Sequence, residues 1–583
     1  METKQCQNCK TSFQIQPEDF EFYSKLQVPP PTFCPDCRMQ RRLAYRNERA
    51  LYRRKCDLCA KSLISQYPEK MPFPVYCIEC WWSDKWDVGQ FTQDFDPSKP
   101  FLTQFQELQN KIPRPHNNNA SSLVNSEYTN CAGMSKNCYL MFGAHINEDC
   151  SYSHYINESK DCVDNLYAIK CESCYQCFDI ENCYNLSYSQ SSSQCHDSMF
   201  LFDCRNCSDC IGCAGLRSKQ YHILNQPYTK EEYFKKKAEL KLDTRSGLKA
   251  FHDKFDKEIF LSVPRKYYHG QSNQDSSGDY LANTEKTQQS FYAKKCRNVK
   301  FAFWCNEAAD LYDYFAWGNI ENSYEAVSVG YEAYRCLFTS ICWDKVSDLE
   351  YCNLCFTSSN LFGCIGLRQK KFCILNKQYS EAEYNKLRGQ IIEQMSSVLY
   401  KDKQGLIYKY GEFPPIELSP FPYWDTVAQE HFPLSNEEVQ KRGYVWRDTE
   451  KPQYKINLKT AELPESIAEV QDNILTQVIG CEHNGKCQDQ CTVAFKIVPA
   501  ELAFYRKKGV PLPTLCHNCR HAERVAMRNP LKLWPRDCDC AGKGNTTEHF
   551  HGPAKCPNKF ETSYKPGRPE RVYCEQCYQA EIT

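Results

Sequence analysis

The chain has no run of about 18 apolar residues, so it offers no membrane-spanning helix. It has no charge bias either. The 72 Lys and Arg balance 72 Asp and Glu, and the formal net charge is +0. Bulk charge therefore points to no polyanionic partner. A glycine-rich phosphate loop is missing, and so is any closely spaced nucleophile motif. The opening Met1-Glu2-Thr3-Lys4-Gln5 carries no apolar signal region, which favours a reducing cytoplasm.

Cysteine is what the chain has in abundance, with 39 among 583 residues. A chain this long does not need disulfides to compensate for a small core, so metal binding is the better reading. The cysteines form matched sets. Cys9, Cys34, Cys37 and Cys56 align with Cys491, Cys516, Cys519 and Cys538 at one offset of 482 residues. Phe13, Ile15, Pro17, Tyr23, Pro29, Arg38 and Asn47 match Phe495, Ile497, Pro499, Tyr505, Pro511, Arg520 and Asn529. After a longer insert, Cys59, Cys77 and Cys80 correspond to Cys556, Cys574 and Cys577.

A tetrahedral zinc site takes four soft ligands from two turns that each carry a pair. Cys6, Cys9, Cys34 and Cys37 supply one set, and Cys56, Cys59, Cys77 and Cys80 a second. Cys487, Cys491, Cys516 and Cys519 make a third, with Cys481 left over. Cys538, Cys556, Cys574 and Cys577 make the fourth, where Cys540 rivals Cys538 and His549 and His551 lie nearby. The expectation is about four structural zinc ions with no open position. Iron–sulfur clusters take the same ligands, and disulfide pairs are the bland alternative.

Between these ends lie two cysteine-rich repeats. A token of a polar residue, Asn, Asp or Ser, then Cys recurs at Cys138, Cys150, Cys162, Cys174, Cys183, Cys195 and Cys204, in steps of 12 or 9. Two steps would make a β-solenoid coil of 21–24 residues. A second copy ends alike: Gly212-Cys213-Ala214-Gly215-Leu216-Arg217 matches Gly363-Cys364-Ile365-Gly366-Leu367-Arg368 at an offset of 151. Charged helices near Lys230–Leu242 and Ser380–Ser396 follow. The 21 cysteines from Cys131 to Cys373 read as a buried ladder of small hydrophobes, with metal binding or redox activity as alternatives.

The expected fold is mainly β with short helices: zinc-ribbon or treble-clef-like modules at both termini flanking two β-solenoid-like regions. The domains run 1–95 (double zinc-ribbon module), 123–225 (first repeat), 226–277 (helical connector), 278–376 (second repeat), 377–480 (helical and Pro/aromatic connector) and 481–583 (second double module). Lys111 to Ser122 reads as a linker.

Arginines follow the second cysteine pair of each module. Arg38, Arg42, Arg46 and Arg49 at one end, and Arg520, Arg524, Arg528 and Arg536 at the other, are candidate phosphate clamps. The competing reading is a solvated face, or pairing with acids of the repeats. RNA or the ribosome is the partner these stripes suggest. A protein-interaction scaffold with purely structural zinc is the alternative, and a carbohydrate-active solenoid enzyme a further one. No small-molecule substrate is evident.

Phe33-Cys34-Pro35-Asp36-Cys37-Arg38, Arg46-Asn47-Glu48-Arg49, the Asn-Cys-Tyr tokens, the Gly-Leu-Arg ending and Val572-Tyr573-Cys574-Glu575-Gln576-Cys577-Tyr578 resemble an uncharacterised family. It comprises cysteine-rich zinc-ribbon proteins predicted from reduced-genome, uncultivated bacteria. The resemblance implies zinc-ribbon folds at the ends and no assigned activity. Some members lose cysteines of the second N-terminal set; this chain keeps all four.

Overall fold

The computed structural model describes residues 1–119, 122–316, 318–447, 454–540 and 547–582. Ala120 and Ser121 of the expected linker, and residues 448–453 of the second connector, lie outside these. The chain is mostly β with short helices. Its two large sheets, of ten and fifteen strands, are built almost wholly from parallel pairs.

The first parallel stack advances by 12 residues per turn of chain. Phe142 pairs with His154, His154 with Leu166, Leu166 with Phe178, and Phe178 with Gln190. This corrects the expected coil of 21–24 residues: a single step already returns the chain to its neighbour. The second stack keeps the same step at Phe291, Phe303 and Phe315. It lengthens to 13 at Ile320↔Ala333 and Tyr334↔Ser347, then returns to 12 at Ser347↔Ser359. These two one-residue insertions place equivalent residues 149 apart before them (Asp164 and Asp313) and 151 apart after them (Gly212 and Gly363).

A local rule explains the step. From Cys131 to Leu224 every third residue has a positive φ, such as 54° at Asn137 and 54° at Asp149. Each is a corner, and four corners complete one 12-residue turn. Asn and Asp tolerate this left-handed region best among residues with a side chain. They occupy it at Asn137, Asp149, Asp161 and Asn182, each directly before a buried cysteine. The repeated Asn/Asp-Cys token is therefore a corner followed by an inward residue.

Inward residues have a second duty. The backbone ladder uses the other two amides of each triplet, as in Lys136 N–H to Asn147 O (2.9 Å) and Asp149 N–H to Lys136 O (3.0 Å). The inward amide is left over, and burying it without a partner is costly. A small polar side chain one turn earlier accepts it. Ser135 takes the Asn147 N–H (3.2 Å), Ser159 the Cys171 N–H (3.2 Å), and Cys195 the Cys207 N–H (3.4 Å). Thiols also donate: Cys150 reaches Glu148 O (3.2 Å) and Ser159 O (3.5 Å). All 21 stack cysteines are buried and none is disulfide-bonded.

The stacks lie against each other through aromatic side chains. Tyr155 packs on Trp304 (4.3 Å between centroids) and Tyr167 stacks on Tyr292 (3.9 Å). Each stack closes with a short antiparallel strand, Gln226–Pro227 or Lys377–Gln378. Helices Lys230–Glu239 and Glu381–Ser397 follow, each opened by a capping box on Thr229 or Ser380.

The terminal modules dock crosswise. The N-terminal module sits on the second stack, where Phe22 stacks on Tyr312 (3.8 Å). The C-terminal module sits on the first, where Tyr505 meets Tyr175 (5.7 Å). Lys25–Asp310 and Lys507–Asp161 are equivalent ion pairs in the two dockings. The ends also meet, through Lys532–Asp36 (3.1 Å). The segment expected as a linker is packed instead: Arg114–Pro115 pairs with Val75–Tyr76, and buried Arg114 donates to Asn353 (3.0 Å).

The inward-amide rule predicts that Ser159→Ala costs about 1–3 kcal/mol, because the Cys171 amide loses its acceptor. Ser159→Cys should recover most of that. Urea unfolding midpoints of the two variants decide; equal loss in both would remove the acceptor argument.

Candidate metal centres

Four cysteine groups share one construction: a two-stranded hairpin followed by a helix. The hairpins are Glu2–Gln5 with Ser12–Ile15, Tyr52–Lys55 with Ser62–Ser65, Ile479–Gly480 with Ala494–Phe495, and Trp534–Asp537 with Lys559–Thr562. The helices are Pro35–Leu43, Ile78–Trp81, His517–Met527 and Glu575–Ile582. One backbone bond recurs in all four. The residue after the first cysteine donates to the carbonyl two before the third: Gln7 to Thr32 (3.1 Å), Asp57 to Val75 (3.0 Å), Glu482 to Thr514 (3.0 Å) and Asp539 to Val572 (2.9 Å).

Ligand atoms of Cys6, Cys9, Cys34 and Cys37 lie within 4.8 Å of one another, as do those of Cys56, Cys59, Cys77 and Cys80. Either group could hold a metal ion. Backbone amides of Cys77, Cys59 and Leu58 lower the Cys56 thiol to about 7 although burial opposes them, so the turn favours a thiolate.

The third group corrects the sequence reading. Cys481, set aside there, ends the hairpin strand and accepts the Cys516 amide (3.3 Å), as Cys56 accepts that of Cys77 (3.2 Å). The group with metal-binding geometry is Cys481, Cys491, Cys516 and Cys519. Cys487 lies on the longer turn between Cys481 and Cys491, with its sulfur 3.6 Å from that of Cys519. It is a fifth sulfur within reach of this group. Sequence spacing favoured it because Cys487 and Cys491 imitate the short turn of the other module.

In the fourth group Cys538 accepts the Cys574 amide (3.2 Å) and so takes the first position. Cys556 lies 3.9 Å from Cys574 and 3.8 Å from Cys577. Cys540, His549 and His551 sit on the insert between Cys538 and Cys556, with Cys540 and Cys577 at 3.2 and 3.4 Å from His551 Nε2.

The arginines do not face solvent. Arg38 and Arg42 both bind the Asp313 carboxylate (2.9 and 2.8 Å), and all three side chains are essentially inaccessible. Arg41 binds Glu325 (2.8 Å) and Glu412 (3.0 Å), and Arg46 binds Glu48 (2.5 Å). At the other end Arg520 and Arg524 share Asp164 (3.0 and 3.1 Å), and Arg528 binds Glu430 (3.3 Å). Arg536 lies on the strand Trp534–Asp537, not on a helix, and binds Asp539 (2.7 Å). Arg49 has no carboxylate in reach among the described residues; it donates to Asn518 of the other module (3.0 Å) and lies over Phe142. The expected phosphate clamps are thus internal ligands for carboxylates, except Arg49 and Arg536, whose pair with Asp539 lies at the surface. Sequence reasoning held pairing with acids of the repeats as the competing reading but could not name the acids.

It also missed a junction between the modules. A cavity of about 740 Å³ is lined by Glu48, Arg49, His154, Trp424, Glu430 and His521, among others. Glu48 holds His154 (2.5 Å) and Glu430 holds His521 (3.0 Å). Burial works to raise the Glu48 carboxyl, but Arg46 and His154 hold it down at about 2. Burial keeps His521 neutral, with Arg49 adding to the effect.

Three outcomes follow. Asp313→Ala should cost about 3–5 kcal/mol, since two buried guanidinium groups lose their carboxylate. Lys25→Ala, removing the half-exposed pair with Asp310, should cost under about 1 kcal/mol. Chemical denaturation measures both. Glu48, with its lowered pKa, stabilises the fold above about pH 4.5, and that contribution is lost as pH falls towards 2. The Tm gap between the parent chain and Glu48→Gln should therefore close across this window; a constant gap would contradict it.

No family model matches the chain, and no curated protein matches it. Among solved structures, a protein from Desulfovibrio desulfuricans G20 described as a candidate acetyltransferase aligns at 9% identity with a TM-score of 0.11. The alignment covers 57% of this chain and 93% of that one, and at that score it carries no argument.

Proposed function

We propose that the protein is a non-enzymatic scaffold in which two β-solenoids are clamped crosswise by terminal zinc-ribbon modules. About four zinc ions would serve a structural purpose, and the partner would be another protein. The observation that carries this reading is the inward turn of the arginines. Of the eight candidate arginines, all but Arg49 are already paired with a carboxylate of the same chain.

The exposed face of the first solenoid supports it. Lys136 and Lys160 both pair with Glu148 along one line, 12 residues apart, so neither lysine is free to meet a phosphate. Met134 and Ile146 form a neighbouring half-exposed apolar line, which suits a protein contact. All-cysteine groups suit structural zinc, which leaves no position for substrate.

The test uses the full-length chain, purified with zinc. Fluorescence anisotropy with single-stranded and duplex RNA at physiological salt should show no binding at micromolar protein. A strong chelator should release the zinc and unfold the terminal modules, while the β signal of the solenoids persists in far-ultraviolet circular dichroism. Nanomolar RNA binding would restore the nucleic-acid reading, and absence of bound zinc would remove the structural-metal part.

A further inference from the structure

The last cysteine group contains more ligands than one ion can use. Its hairpin and helix already provide the set found in the other groups: Cys538 and Cys556 flank the turn, and Cys574 and Cys577 open the helix. The turn itself is different. In the N-terminal module two residues separate the paired cysteines, whereas 17 separate Cys538 from Cys556. That insert contributes Cys540, His549 and His551, and all three return to the cluster.

Their geometry forms a second tetrad. Ligand atoms of Cys540, His549, His551 and Cys577 lie within 4.8 Å of one another. Those of Cys538, Cys540, Cys556 and Cys577 do so too. Four ligands about one zinc ion at 2.0–2.3 Å stand about 3.3–3.8 Å apart. Two of the contacts fall in that range, 3.4 Å from His551 Nε2 to Cys577 and 3.8 Å from Cys577 to Cys556, and the third, 3.2 Å from His551 Nε2 to Cys540, lies just under it. His549 is held by the buried carboxylate of Glu581 (2.9 Å), the kind of partner that stands behind metal-bound imidazoles.

We propose that this group holds two divalent, zinc-class ions bridged by the Cys577 thiolate. The first ion takes Cys538, Cys556, Cys574 and Cys577. The second takes Cys540, His549, His551 and the same Cys577 sulfur. Seven side chains then fill eight positions. The charge favours the pair: five thiolates around two divalent ions leave −1, whereas four around one ion leave −2 and the fifth cysteine remains a neutral thiol in a buried site.

The inference rests on the metal-binding reading above, and the experiment separates the two. Native mass spectrometry of the full-length, zinc-loaded chain is compared with Cys540→Ser/His551→Ala. The double variant should hold one ion fewer than the parent, with the thermal transition of the remaining molecule retained, because the residues lie outside the shared hairpin-and-helix set. Cadmium-113 loading gives a second readout: two signals from this group should show scalar coupling through Cys577. Equal metal content in parent and variant, with no coupling, would make the group mononuclear and overturn the proposal while leaving the other sites intact. A parent chain without bound metal would overturn both readings.

Discussion

A buried aspartate holding two arginines is the contact on which the assembly depends. Asp313 and Asp164 occupy equivalent corners of the two stacks, each with a positive φ (59° and 58°). Aspartate meets two demands there at once: it tolerates the corner and presents a carboxylate to the docking helix. Asparagine would satisfy the first demand and leave two buried guanidinium groups without an opposite charge.

The neutralisation extends beyond the two aspartates. Arg38, Arg41, Arg42 and Arg46 face Asp313, Glu325, Glu412 and Glu48; Arg520, Arg524 and Arg528 face Asp164, Glu501 and Glu430. Cations and anions match in number on each side. The cysteine groups set this up, because Cys34 and Cys516 are the N-caps of the helices that carry the arginines. Holding those caps in a four-cysteine cluster aims each helix at its stack. Buried ion pairs are weak sources of net stability, but they penalise misplacement strongly. They specify which module sits on which stack.

Much of the architecture was legible because it repeats. The 482-residue offset located both terminal modules, and the 151-residue offset located the two stacks. The coil length was not legible, because only some inward positions are cysteine. Ser135, Ser159 and Ser192 do the same work and hide the 12-residue step. Cys481 was misjudged for a similar reason: spacing in sequence cannot reveal that a turn has expanded while its backbone bond has stayed. The arginine stripes left phosphate clamping and pairing with acids of the repeats both open, because the partners, Asp313 and Asp164, lie hundreds of residues away.

The crossed arrangement constrains the order of events during synthesis. Arg38 must wait for Asp313, 275 residues downstream, and Asp164 must wait for Arg520, 356 residues downstream. As the chain leaves the ribosome, the first module and the first stack each carry unmatched charge that the other cannot cancel. Each half of the sequence contains one module and one stack, yet the ion pairs of Asp313 and Asp164 form only between the halves. The duplication visible in the sequence therefore describes ancestry better than it describes independent folding.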